Sequence, residues 1–273
     1  MKKRLPAGRV LLAIATTFAL LLGTLGAGVS AQDTPESTGE IVITHAQGET
    51  TIPLNPEVVL TFDLASADTL DKLGVQVAGL PKSNLGGEFA RFDTDEYLDI
   101  GTLFEPDYEA VAAAKPDLII VANRSASALP ELSKIAPTID LTIANPDLIA
   151  GLHEQTNLLA SIFGKEAEAT EALAAIDAKV ADLQEKTADA GTGLVILTSG
   201  GEVTAIAPGG LRGMLIYGTL GIEPPVAELD EATHGEPISF EFLLEHDPDW
   251  LFVFDRDMVT GESGAAAQEI LDN

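Results

Sequence analysis

The chain has 273 residues, 46% of them hydrophobic, which suits one large or two small globular domains and excludes a disordered protein. A formal net charge of −28, from 43 acidic against 15 basic residues, argues against nucleic acid and against anionic membrane surfaces as partners. There is no cysteine, so burial rather than disulfides must supply stability, and no lipid-anchor cysteine is expected at a cleavage site.

Lys2, Lys3, Arg4 and Arg9 precede an apolar run from Val10 to about Leu25, and Val29-Ser30-Ala31 offers small residues for cleavage. Residues 1–31 are therefore predicted to be a secretory signal peptide, with an uncleaved membrane anchor as the alternative. Residues 32–40 read as a flexible leader, and no later stretch is long and apolar enough to span a bilayer. The expectation is a soluble, monomeric protein of the periplasm.

Ile41 to Leu54 alternates around Gln47-Gly48, a β-hairpin signature. Val58 to Phe62 reads as a strand, Ala65 to Leu73 as a helix closed by Gly74, and Val75 to Leu80 as a strand. Pro81 to Gly101 is polar and glycine-bearing and is predicted to be loop. Asp107 to Ala114 follows as a helix, Asp117 to Ala122 as a buried strand, Ala128 to Ile135 as a helix and Thr138 to Ile143 as a strand. This alternation predicts a mostly parallel α/β lobe over residues 41–144.

Residues 145–190 form a helical connector. Asn145-Pro146-Asp147 reads as an N-cap, a first-turn proline and an acid at the positive end of the dipole. Leu148, Leu152, Leu159, Ile162 and Phe163 follow at helical spacing, and Gly164 allows a break. Beyond it, Leu173, Ile176, Val180 and Leu183 make one apolar stripe on a run from Lys165 to Ala188, roughly 35 Å long at 1.5 Å per residue. Such a helix is a stiff bridge between two lobes, so only small lobe movement on ligand binding is expected.

Residues 191–273 form the second α/β lobe. Gly193 to Thr198 and Val203 to Ala207 are strands joined through Ser199-Gly200-Gly201, and Arg212 to Leu220 is a helix ended by Gly221. Thr233-His234-Gly235 lies in a loop, Phe240 to Glu245 is helical, Trp250 to Asp255 is a strand, and Ala265 to Leu271 begins a last helix. Trp250 and the phenylalanines sit at strand spacing and are expected in the core. The second lobe lacks a final strand and helix relative to the first, so it reads as incomplete and the sequence as a fragment.

The two lobes share a spacing. Glu109 lies on a helix, Pro116-Asp117 follows, then a strand, then Arg124; Glu241, Pro248-Asp249, a strand and Arg256 repeat the order. Each arginine falls just past the end of a parallel strand, where ligands of open α/β sheets bind. Arg212, after Pro208-Gly209-Gly210, falls in a first helical turn, where a cation opposes the dipole and where free N–H groups and a guanidinium would together make an anion site. Beyond the signal segment the chain has only Arg91, Arg124, Arg212 and Arg256. Charges more than about 8 Å apart are largely screened at physiological salt. Each charge-assisted hydrogen bond in a cleft is worth roughly 1.5–3 kcal/mol. Three converging arginines would thus prevail locally over the acidic background.

Nothing in the sequence argues for catalysis. Ser199-Gly200-Gly201 sits in a hairpin pattern rather than a nucleophile elbow, and no P-loop or dinucleotide fingerprint is present. His45, His153 and His246 lack metal-ligand spacing; His234 reads either as a solvated loop residue or as a metal ligand or hydrogen-bond partner at the cleft.

KPDLII (115–120), KIAPTI (134–139), GLRGMLIYGTLGI (210–222), THG (233–235), DPDWLFVFDR (247–256) and ILDN (270–273), with the three arginines in order, resemble the periplasmic ferric-siderophore-binding proteins of ABC importers, in their catecholate-binding CeuE-like branch. The resemblance implies the helical-backbone class III binding-protein fold: two βα lobes joined by a long helix. It implies a non-enzymatic protein with no intrinsic cofactor, which captures an Fe(III)-siderophore and delivers it to an inner-membrane ABC permease. It places Arg124, Arg212 and Arg256 around the catecholate oxygens, His234 on the iron, and Glu109 and Glu241 at the permease. Haem or a corrinoid is the alternative ligand for this architecture. The family's second iron ligand is a tyrosine beyond ILDN, and none of Tyr97, Tyr108 or Tyr217 takes that place.

Overall fold

The computed structural model describes residues 39–83, 85–144, 147–210, 212–226, 228–229, 235–260 and 267–272. Among these, no helix is long and apolar enough to cross a membrane.

The chain enters through an antiparallel hairpin, β1 (Glu40–His45) and β2 (Gly48–Pro53), with His45 opposite Gly48 at the tip. Gly48 has φ 139°, a conformation that a side chain would strain. Ile43 and Ile52 face inward from the two strands and are buried.

The first sheet follows in the order β3 (Val59–Thr61), α1 (Leu64–Lys72), β4 (Gly79–Leu80), β5 (Leu98–Asp99), α2 (Tyr108–Ala114), β6 (Leu118–Val121), α3 (Leu129–Leu132) and β7 (Thr138–Asp140). Its five strands lie in the order β5-β4-β3-β6-β7, and every pair is parallel. Both faces of a parallel sheet must be covered, and β6 shows why its sequence is apolar throughout. Leu118 and Ile120 enter one core with Ile43, Ile52, Leu159 and Ile162, while Ile119 and Val121 enter a second with Phe62, Val111 and Leu132. Asp63 caps α1 by accepting from the Ser66 N–H at 2.9 Å, and Asp107 caps α2 by accepting from Glu109 and Ala110.

The stretch Pro81 to Gly101, expected as loop, instead holds a 3-10 helix at Gly87–Phe92 and strand β5. Phe92 is buried and meets Tyr97 edge to face at 5.3 Å, and Arg91 pairs with Asp68 and Asp71 on α1. Such long-range anchoring leaves no periodic trace over so few residues.

The connector is two helices, α4 (Leu148–Phe163) and α5 (Glu166–Thr187), divided at Gly164 with φ 61°. Its cap is Asp147, which accepts from Ile149 and Ala150 at 3.0 and 3.1 Å. Asn145, expected as the cap, and Pro146 lie outside the described residues. Leu159, Ile162 and Phe163 are buried as their spacing predicts. The apolar stripe of α5 is not: only Ala169 and Leu173 are buried, and Leu183 is 42% exposed. Ala169 is the last residue of the helix in the first core, and the last helical turn is held by polar contacts, Gln184 Nε2 to the Thr219 carbonyl and Thr187 Oγ1 to the Leu220 carbonyl, both 2.8 Å.

The second sheet comprises β8 (Gly193–Ser199), β9 (Glu202–Ala205), β10 (Glu236–Pro237) and β11 (Trp250–Asp255), with α6 (Phe240–His246) before β11 and α7 (Arg256–Thr260) and α8 (Ala267–Leu271) after it. The order is β10-β9-β8-β11; within it β8 and β11 are parallel and the other two pairs antiparallel, in keeping with the hairpin pattern read around Ser199-Gly200-Gly201. The tight Gly200-Gly201 turn, both residues at positive φ, makes β9 return antiparallel. Leu194 and Ile196 face α6 and α8, while Val195 and Leu197 face Tyr217 and Phe252. The helix expected over Arg212 to Leu220 is a turn followed by a π-helix at Met214–Thr219, and the buried Tyr217 hydroxyl accepts from the Val195 N–H at 2.8 Å.

The expectation of a buried Trp250 and buried phenylalanines holds for Phe62 and Phe92 and fails around β11. Trp250 is 54% and Phe254 42% exposed on β11, an edge strand among the described residues, and Phe240 at the start of α6 is 43% exposed.

Candidate functional site

The shared spacing of the two lobes corresponds to one repeated local device. Helix α2 ends at Lys115 with φ 51°, and α6 ends at Asp247 with φ 36°, each a left-handed cap before a Pro-Asp pair. Asp117 Oδ2 then accepts from the Glu57 and Val58 N–H groups at 3.0 and 2.8 Å, at the foot of β3. Asp249 Oδ2 accepts from the Thr192 N–H at 2.8 Å, at the foot of β8. Each carboxylate thus ties the start of the central strand to the strand about to form beside it. β6 next to β3, and β11 next to β8, then carry Arg124 and Arg256 to the C-terminal ends of their sheets.

Arg124 is exposed in a 3-10 turn at Asn123–Ala128, with its guanidinium 5.9 Å from the ring centre of Phe104. The turn itself is fixed from below. Buried Ser125 Oγ accepts from the Ala122 N–H and donates to the Phe62 carbonyl. The Asn123 N–H donates to Thr142 Oγ1 at 2.7 Å, and that hydroxyl donates to buried Asp140 at 2.6 Å. From the hairpin tip, Gln47 Nε2 reaches both Asp140 Oδ2 and the Ala126 carbonyl at 2.8 Å. In the sequence Gln47 is a turn signal only; its 79-residue reach to Ala126 has no local signature.

Arg256, expected just past the end of its strand, is the first residue of α7 and directly follows β11. Its Nη1 donates to Ser199 Oγ at 2.9 Å, and Ser199 Oγ lies 3.5 Å from Asp257 Oδ1. Asp257 is 3% exposed and its Oδ2 accepts from the Gly200 N–H at 2.7 Å, so the β8–β9 turn and the arginine are held by one buried carboxylate. Hydrogen bonds from the Ala267 and Met258 N–H groups hold the neighbouring Asp255 carboxyl below its usual range. A cavity of about 250 Å³ opens here, lined by Leu197, Ser199, Glu202, Thr204 and Arg256.

Arg212 is half-buried in the turn ahead of the π-helix, which packs on the same face of β8 as Leu197. That turn is close-packed: a Cβ at Gly213 would stand 2.4 Å from the Ala207 carbonyl oxygen, so no larger residue fits without displacement. Arg212 and Arg256 therefore belong to one lobe and one sheet face, and Arg124 to the other lobe. His234 and Thr233 lie outside the described residues.

Glu109 and Glu241 are exposed in the first turns of α2 and α6. The Glu241 backbone N–H and the Ser239 hydroxyl lower its carboxyl below the usual range. The helix dipole favours an acid at both positions whatever else the residues do.

The comparisons with known proteins agree with this architecture. Residues 59–273 match the periplasmic binding protein family. The petrobactin-binding protein YclQ of Bacillus subtilis is 36% identical over 267 residues, covering 95% of this chain and 84% of the relative. Its crystal structure superposes with a TM-score of 0.81 at 35% identity, over 86% of this chain and 84% of that one. The ferric-anguibactin-binding protein FatB of Vibrio anguillarum is 32% identical over 225 residues, covering 80% of this chain and 70% of the relative. The periplasmic catecholate-siderophore binding protein VctP of Vibrio cholerae superposes with a TM-score of 0.79 at 28% identity, over 86% of this chain and 85% of that one. With its α/β fold and these relatives, the chain belongs to the periplasmic binding protein family and is a binding protein, not an enzyme.

Proposed function

We propose that this protein captures a ferric siderophore of the catecholate class in the periplasm and delivers it to an inner-membrane ABC permease. The observation that carries the reading is the paired placement of Arg124 and Arg256 at the C-terminal ends of β6 and β11. Two lobes each presenting a guanidinium at the ligand-binding edge suit an anion held between them, and a ferric catecholate is a compact anion. The names of the relatives point the same way: one binds petrobactin, one ferric anguibactin, and one a catecholate siderophore. Arg212 is the third cation of the site, and His234 supplies an imidazole to the iron, a hard ion otherwise held by oxygen donors. The iron is cargo. Glu109 and Glu241 dock the loaded protein on basic residues of the permease, one from each lobe. The protein works as a monomer, exported by a cleavable signal over residues 1–31.

Isothermal titration with a ferric catecholate tests this. The intact protein binds; Arg212→Ala weakens binding by about 10–100-fold, the equivalent of one charge-assisted hydrogen bond; His234→Ala weakens it less. Unchanged affinity in both variants refutes the site assignment. Haem binding with no catecholate response refutes the ligand class. Glu109→Lys with Glu241→Lys is expected to leave binding intact and to abolish transport into permease-bearing vesicles.

A further inference from the structure

The cavity beside Arg256 holds a group that a purely anionic ligand does not want. Glu202 pairs with Ser199, and Thr204 with Leu197, directly across the antiparallel β8–β9 ladder. Paired residues, and residues two apart on one strand, point to the same side of a sheet. One carboxylate, two hydroxyls and one guanidinium therefore line a single cavity with an aliphatic wall.

We infer that this cavity is a subsite for one arm of the ligand that carries an anionic oxygen and, next to it, a protonated amine, with Arg256 taking the oxygen and Glu202 the ammonium. The inference rests on the reading of the protein as a siderophore binder and adds a selectivity to it. At about 250 Å³ the cavity is smaller than the roughly 300–1,000 Å³ of a whole small-molecule site, which suits one arm of a chelate rather than all of it.

Three features support the division of labour. Arg256 is oriented before any ligand arrives, because Ser199 Oγ accepts from its Nη1 and Asp257 fixes the turn that carries Ser199. Asp257 is itself engaged with the Gly200 N–H, whereas the Glu202 side chain makes no hydrogen bond or ion pair among the described residues. Finally, side chains facing across one β pair lie roughly 5 Å apart. That separation is within the Debye length of about 8 Å. An anionic group that reaches Ser199 is therefore close enough to feel the Glu202 charge through physiological salt. The Glu202 carboxylate weakens the hold on a pure polyanion and strengthens the hold on an arm that brings its own positive charge.

The test is a matched pair of probes: a ferric catecholate built on a polyamine with one free secondary amine, and the same chelate with that amine acetylated. Each is titrated into the intact protein, Glu202→Gln and Arg256→Ala, with thermal melting as a control for folding. The intact protein is expected to prefer the free amine. Glu202→Gln is expected to lose about tenfold for the free-amine probe, to gain severalfold for the acetylated one, and so to erase the preference. Arg256→Ala is expected to weaken both probes. A preference of the same size in the intact protein and Glu202→Gln, or no preference in either, overturns the subsite while leaving the siderophore reading standing. Failure of both probes to bind the intact protein overturns the siderophore reading itself.

Discussion

Strand β6 lies between β3 and β7, and all four of its residues are buried. Strand β11 has the same lead-in, a helix with a left-handed cap and a Pro-Asp clamp, yet among the described residues it has only β8 for a neighbour. Its Trp250, Leu251, Val253 and Phe254 stay 54, 40, 39 and 42% exposed. The clamp decides where a strand starts and which strand it lies beside; it does not decide whether the strand is covered. A fully buried Ile or Leu contributes about 1.5–3 kcal/mol, so the two strands make very different contributions from similar composition.

That contrast can be broken by measurement. Ile120→Ala in β6 is expected to cost about 2–5 kcal/mol in urea unfolding, whereas Val253→Ala in β11 costs less than about 1 kcal/mol. Comparable losses would mean that β11 is as well covered in solution as β6. The clamps should behave alike where the strands do not. Asp117→Ala and Asp249→Ala each remove hydrogen bonds to a charged acceptor and are expected to cost about 1.5–3 kcal/mol. A negligible loss for Asp249→Ala alone would show that the second device organises nothing.

At the level of the lobes, α5 is held at one end by apolar packing and at the other by Gln184 and Thr187. Ligand addition is therefore expected to change the radius of gyration in solution scattering only slightly, and a marked compaction would contradict a stiff bridge. The smallest effect belongs to His45, in the hairpin beside the first sheet. The Thr50 hydroxyl donates to the Thr138 carbonyl, so His45 Nε2–H donates to Thr50, and Nδ1 accepts from the Gln47 N–H. Burial lowers its pKa below 6.5 despite the opposing charge of Asp140. The unfolded chain binds the proton more readily, so this contribution is complete above about pH 6.5 and is lost as the pH falls below it. The unfolding midpoint should drop slightly more between pH 7.5 and 5.5 in the intact protein than in His45→Gln.

Local signals were legible where local chemistry decides. Gln47-Gly48 marked the hairpin tip, Gly164 the break in the connector, and the apolar run at Leu118–Val121 a strand covered on both faces. The signals failed where a distant partner decides. Phe92 is buried by Tyr97 and by an arginine reaching back to α1, and neither contact has a period. In the π-helix, Tyr217 is buried with its hydroxyl on the Val195 N–H, 22 residues away in sequence. The site divides in the same way: the arginines stood out because cations are scarce in this chain, but Ser199 meets Arg256 only through the β8–β11 register and Glu202 only through the β8–β9 register.

The exposed end of β11 also determines how the protein can be watched. Its chain has a single tryptophan, and Trp250 donates from Nε1 to the Ala190 carbonyl at 2.7 Å, where the connector runs into the second sheet. Arg256 lies at the opposite end of the same strand. Tryptophan emission is thus an optical gauge of the joint rather than of the cavity. A ligand that shifts the colour of that emission has moved the hinge, and one that only dims it has acted as a distant energy acceptor.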